Sequence, residues 1–207
     1  MVFGYRECIA VLMMGAAAAQ PPLPDLKTEP TPGGSVFTVR NAAAQPLTAY
    51  LIELVNYPGS SYSLWQDEVG REPLSPGDEK KIPVTNMTVG AVPDYVKLQA
   101  AVYADGTTSG LPEKVKQLLD RRRAVLETTR ELIQRLESGQ TATLKDWTDS
   151  MPPIERSKRN SQAAINQGAA KALIADYAAK LEKQSTNEVL TALRAYERAL
   201  AASKPAL

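Results

Sequence analysis

The hydrophobic period of this chain changes once, near Gly110, and that change limits what it can fold into. Before Gly110 the apolar residues come in short runs of strand type. After it they recur every three or four residues over long stretches. Period two sends alternate side chains to opposite faces of a strand, whereas a period of about 3.6 lines one face of a helix. The expected fold class is therefore α+β, with strands first and helices second.

Five strand-like runs precede the switch, at residues 36–40, 48–55, 61–65, 81–84 and 95–103. The last is the plainest: Val96, Leu98, Ala100 and Val102 alternate with Tyr95, Lys97, Gln99, Ala101 and Tyr103, which predicts one buried face. Tyr57-Pro58-Gly59, Ser75-Pro76-Gly77-Asp78 and Asp105-Gly106 supply the fixed and positive φ values of turns between the runs. Seven of the twelve aromatic residues lie between Phe37 and Tyr103, which suits a β core. Short strands at this spacing predict a small antiparallel sandwich over residues 35–110.

Residues 111–207 read as an α-helical region. Pro112 fits a first helical turn, and Val115, Leu118, Leu119, Val125, Leu126, Leu132, Ile133 and Leu136 form one stripe ending before Gly139. At ~1.5 Å per residue this helix is about 40 Å long and needs a partner along its length. Residues 161–183 and 187–203 can supply one, and Ser185 with Glu188 makes a capping-box start for the last helix. A short turn of helix at residues 143–147 ends before Pro152-Pro153. The long helix can also be written in heptads, with Leu118, Val125 and Leu132 at one core position and Val115, Arg122, Thr129 and Leu136 at the other. Arg and Thr there weaken an intermolecular coiled coil, so packing within the chain is favoured, as a helical hairpin or three-helix region.

Residues 1–19 place Arg6 before an apolar run of twelve residues, Cys8 to Ala19, with small residues at Ala17 and Ala19. This is the signal-peptide pattern, too short for the roughly 20 residues of a spanning helix, and it predicts cleavage near Ala19/Gln20. The alternative is a retained N-terminal anchor. Residues 20–34, rich in Pro and Gly, read as a linker or flexible arm.

The chain has no histidine and one cysteine, Cys8, inside the expected leader. A mature chain without imidazole or thiol has no Ser-His-Asp or Cys-His site, His/Cys zinc site, haem His ligand or redox dithiol. No phosphate loop, dinucleotide fingerprint or nucleophile elbow is present, so no cofactor is expected. Net charge is +1, which gives no preference for nucleic acid. It divides unevenly, with six basic against ten acidic residues over 20–110 and seventeen against twelve over 111–207.

Two clusters remain. Trp65, Asp67 and Glu68 join an aromatic face to carboxylates, the donors of calcium sites and of glycoside hydrolysis. Adjacent carboxylates on a strand point to opposite faces, however, and a lone Trp is usually core, so neither chemistry is favoured. Arg121, Arg122 and Arg123 sweep about 300° around a helix and cannot form one flat patch. A solvated face is the favoured reading, with docking onto an acidic surface, such as this chain's own β half, as the alternative. Arg122 falls at the edge of the apolar stripe, where its stem can pack while its head reaches out. Asn86-Met87-Thr88 matches a glycosylation sequon, a tripeptide common by chance.

Phe37-Thr38-Val39-Arg40-Asn41, Pro46-Leu47-Thr48-Ala49-Tyr50, Pro73-Leu74-Ser75-Pro76-Gly77-Asp78-Glu79 with Ile82-Pro83-Val84, and the closing run 96–103 resemble the immunoglobulin-like domains of exported bacterial proteins. The resemblance covers residues 35–110 and implies a fold without catalytic residues. The expected function is a non-catalytic binding or structural module, exported to the periplasm or outside the cell. Its expected partner is an unidentified envelope protein or glycan, and it meets a membrane only if the N-terminal segment is kept. The alternatives are a hydrolase of envelope polysaccharide using Asp67 or Glu68, and a membrane-tethered module.

Overall fold

The computed structural model describes residues 20–58, 61–85, 94–140 and 144–207. The expected leader with Cys8, the sequon at Asn86 and the turn residue Gly59 lie outside the described residues. Within them the chain is α+β, as the change of period predicts. The strands are β1 (Asp25–Thr31), β2 (Gly34–Arg40), β3 (Leu47–Leu54), β4 (Ser63–Asp67), β5 (Glu79–Thr85), β6 (Val96–Tyr103) and β7 (Thr108–Gly110). The helices α1 (Pro112–Glu137), α2 (Leu144–Ser150), α3 (Gln162–Leu181) and α4 (Thr186–Ala201) follow.

The strands form two antiparallel sheets, ordered β1-β2-β5 and β4-β3-β6-β7. Their inward side chains meet in one cluster: Phe37 and Val39 from β2, Ile82 and Val84 from β5, Tyr50 and Ile52 from β3, Ala101 and Tyr103 from β6. The single buried face expected of β6 is broken by a register shift opposite Leu51/Ile52: Val96 and Leu98 stay with the inter-sheet cluster, while Ala100 and Val102 join Ala49 and Leu51 on the other face of β3 and β6. These too are buried, because Leu118 of α1, flanked by Val115 and Leu119, packs over them. β3 and the second half of β6 are thus covered on both faces, whereas β1 and β5 show the alternation of a half-exposed sheet.

Gly110 makes the passage from sheet to helix. Its φ is +99°, and a Cβ there would stand 2.2 Å from the Gln99 carbonyl oxygen, so no other residue fits without moving β6. Pro112 then opens α1 in the first turn, where its missing N–H costs nothing. The two halves of α1 have different neighbours. Leu118 faces the sheet, Val125 and Leu126 meet Ala169 and Leu200, and Leu132 and Leu136 enter a cluster with Leu144, Ile174, Tyr177, Val189 and Leu193. The heptad positions therefore pack inside the chain, including Thr129, whose hydroxyl donates to the Val125 carbonyl at 2.7 Å. Helix α4 begins on the expected capping box of Ser185 and Glu188.

Residues 20–34 are not a free linker. Residues 25–31 pair with β2 along their whole length, from Asp25 opposite Arg40 to Thr31 opposite Gly34. The preceding segment is held by two side chains of the four-stranded sheet: the Tyr103 hydroxyl donates to the Pro22 carbonyl at 2.5 Å and the Ser109 hydroxyl to the Pro21 carbonyl at 2.7 Å. Proline is tolerated on an edge strand, and an edge needs little apolar content, so composition pointed the wrong way.

Candidate binding cleft

The residues of the Trp65-Asp67-Glu68 cluster separate. Asp67, on the outward face of β4, receives two parallel hydrogen bonds from Arg122 of α1, Nε to Oδ2 at 2.8 Å and Nη2 to Oδ1 at 3.1 Å. A third bond runs from Arg122 Nη1 to the Lys204 carbonyl at 3.2 Å. The Arg122 side chain is 1% exposed, so the solvated-face reading fails for it. Its guanidinium docks onto the acidic β half of its own chain, and the geometry is the planar fork on which Arg and carboxylate match best. Arg123 stays exposed and pairs with Asp120 one turn away.

Glu68 turns the other way and pairs with Lys80 of β5. Beneath it the Tyr50 hydroxyl is buried with no hydrogen-bond partner. Burial, reinforced by the Glu68 charge, pushes that hydroxyl's pKa well above the tyrosine range. A third ion pair, Glu53 with Lys114 at 2.7 Å, ties β3 to the first turn of α1. Each of these carboxylates holds one element against another. Among the described residues no group of three His, Cys, Asp or Glu could hold a metal ion.

Trp65 and Arg121 meet at a different place. A cleft of about 400 Å³ opens between the β4 region, α1 and α3, within the usual ~300–1,000 Å³ range of ligand sites. Tyr62 and Trp65 line its sheet side, Gln117 and Arg121 its α1 side, and Arg159 with Gly168 its α3 side. Trp65 is half core, since its ring packs against the cluster under Leu118. Arg121 has no ion-pair partner among the described residues. Burial draws its pKa below the arginine norm, with Asp67 pulling the other way. The Gln117 side-chain oxygen is buried without a hydrogen bond.

Reading the sequence missed Tyr62, Gln117 and Arg159, which lie far apart along the chain and meet only through the packing of α3 on α1. Lys114 and Glu53 stand 61 residues apart along the chain and carried no local signal. No helix among the described residues is long and apolar enough to cross a membrane. Searches against protein-family models, curated proteins and solved structures find no match.

Proposed function

We propose that this chain is an exported binding module of the cell envelope, an immunoglobulin-like β-sandwich whose outer sheet face is buttressed by a helical region. The strand orders β1-β2-β5 and β4-β3-β6-β7 support the sandwich, as does the apolar cluster between the two sheets. The leader-like residues 1–19 support export.

One observation carries the binding reading over the hydrolytic one. Asp67 and Glu68, the carboxylates hydrolysis would need, point apart and are spent on ion pairs with Arg122 and Lys80. Arg121 and Arg159, which make no ion pair among the described residues, face a cleft beside Trp65 and Tyr62. Retaining a cation and an aromatic face without a partner suits recognition of another molecule. The test is retention of an envelope component by the immobilised mature chain. Peptidoglycan turnover by the pure protein, abolished by Asp67→Asn or Glu68→Gln, would overturn the reading. N-terminal sequencing of the native protein checks export, with Gln20 as the expected first residue.

A further inference from the structure

The two sheets end in four outer strands, β1 and β5 on one and β4 and β7 on the other. An outer strand presents a row of unpaired N–H and C=O groups, and proteins blunt such edges with Lys, Pro, shortness or a covering segment. β1 carries Lys27 and Pro30, and β5 carries Lys80, Lys81 and Pro83. β7 has three residues and lies beside the docked N-terminal segment. β4, with the sequence Ser-Leu-Trp-Gln-Asp, has none of these devices.

The outward groups of β4 follow from its register. Leu54 N–H donates to the Tyr62 carbonyl and Glu68 N–H to the Thr48 carbonyl. Between them Leu64 lies opposite Ile52 and Gln66 opposite Tyr50, so the even-numbered residues bond to β3. Antiparallel alternation turns the backbone N–H and C=O of Ser63, Trp65 and Asp67 to the free edge. Among the described residues nothing pairs with that edge.

Ser63 and Trp65 also line the cleft, whose far wall is α3. Gly168 sits in the interior of that helix, where glycine is the poorest residue after proline. A Cβ at Gly168 would meet no atom within 4 Å, so neither packing nor a special φ requires the glycine. Its effect is to leave room opposite the strand edge. The charges in the cleft do not balance: Glu53 and Lys114 neutralise each other, Arg159 makes no ion pair among the described residues, and Arg121 has near it the carboxylate of Asp67, which is already paired with Arg122.

We propose that the β4 edge and this cleft bind an extended acidic segment of a partner protein by strand addition. The partner backbone would pair with Ser63, Trp65 and Asp67 while its carboxylates meet Arg121 and Arg159. The inference rests on the binding-module reading and names the partner's chemistry.

The test titrates the full chain with three acetylated, amidated hexapeptides: alternating glutamate and valine, alternating lysine and valine, and the glutamate peptide N-methylated at every amide. Binding is followed by calorimetry. The glutamate peptide should bind at least ten-fold tighter than the other two and weaken with salt. Arg121→Gln should cost about ten-fold. Ser63→Pro, which removes an outward donor and leaves the backbone bonds to β3 while losing the 3.3 Å bond from the Ser63 hydroxyl to Glu53, and Gly168→Leu, which fills the cleft, should each abolish binding without changing the far-UV spectrum. Equal binding of the methylated peptide, or binding undiminished by Gly168→Leu, overturns the proposal. So does a concentration-dependent dimer abolished by Ser63→Pro, which would give the edge to a second copy of this chain. A chain that holds an envelope component yet ignores all three peptides would refute strand addition and leave the binding reading standing.

Discussion

Replacing Arg122 by Met tests the mode of attachment between sheet and helices. The substitution keeps much of the apolar stem and removes the guanidinium, leaving Asp67 in place with its side chain 12% exposed. Breaking a buried ion pair by deleting one partner costs about 3–5 kcal/mol, because the remaining charge has lost its solvation and its counter-ion. Asp67 retains slight access to water, which places the expected loss near the lower end, at ~3 kcal/mol. For a chain of this size each kcal/mol shifts the thermal midpoint by roughly 2–4 °C, so Tm should fall by about 6–12 °C. Urea unfolding gives the free energy directly, provided the m value is unchanged. The double variant Arg122→Met with Asp67→Leu should recover most of the loss, since exchanging both charges for apolar groups is often neutral or better. A single variant within about 1 kcal/mol of wild type, in the range of exposed pairs, would show that the pair is in effect solvated. A double variant no better than the single would show that the loss comes from packing rather than from an orphaned charge.

Gly70→Ala should destabilise by about 1–3 kcal/mol in urea unfolding, because φ is +77° and the new Cβ would stand 2.7 Å from the Tyr196 ring. Ser185→Ala should cost ~1 kcal/mol by removing the cap of α4, and Ser185→Thr should restore most of it. Burial raises the hydroxyls of Tyr103 and Tyr196 from the ordinary 10 to about 12, so the folded state keeps their protons longer than the unfolded state does. Their contribution is therefore complete below pH 10 and lost as pH rises from 10 to 12, and Tyr196→Phe should flatten that part of the stability–pH curve. Tyr103→Phe should speed amide exchange and proteolysis around residues 20–24 before it alters the rest of the chain.

The elements that sequence made legible are those whose stabilisation is local or periodic. β6 announced itself through Val96, Leu98, Ala100 and Val102, and α4 through the Ser185–Glu188 box. β1 did not, because an outer strand needs pairing more than apolar side chains, and Pro30, Lys27 and Glu29 look the same in a strand edge as in a linker. β7 was too short to show a period. The neglected signal was the pair of unbroken apolar runs Ala49-Tyr50-Leu51-Ile52 and Ala100-Ala101-Val102-Tyr103, which mean cover on both faces and could have placed α1 over β3 and β6. The heptad set Arg122 at a core position, yet the reading that sent its head to solvent was wrong, and nothing in α1 could name Asp67, 55 residues earlier, as its partner. The cleft was illegible for the same reason: Trp65, Arg121 and Gly168 come together only after three separate elements have docked.

The apolar cover that α1 lays over β3 and β6 means that the point where the sequence changes period is not a point where the chain can be cut. A fragment ending at Gly110 would expose Ala49, Leu51, Ala100 and Val102 as a contiguous greasy plate, and the complementary fragment would carry Leu118 and Arg122 into water with no counterpart. Neither piece would be expected to stay monomeric in solution. Insertions or gene fusions at that junction would separate two surfaces that have only each other, whereas the exposed turn at Pro76-Gly77 offers a far safer place to break the chain.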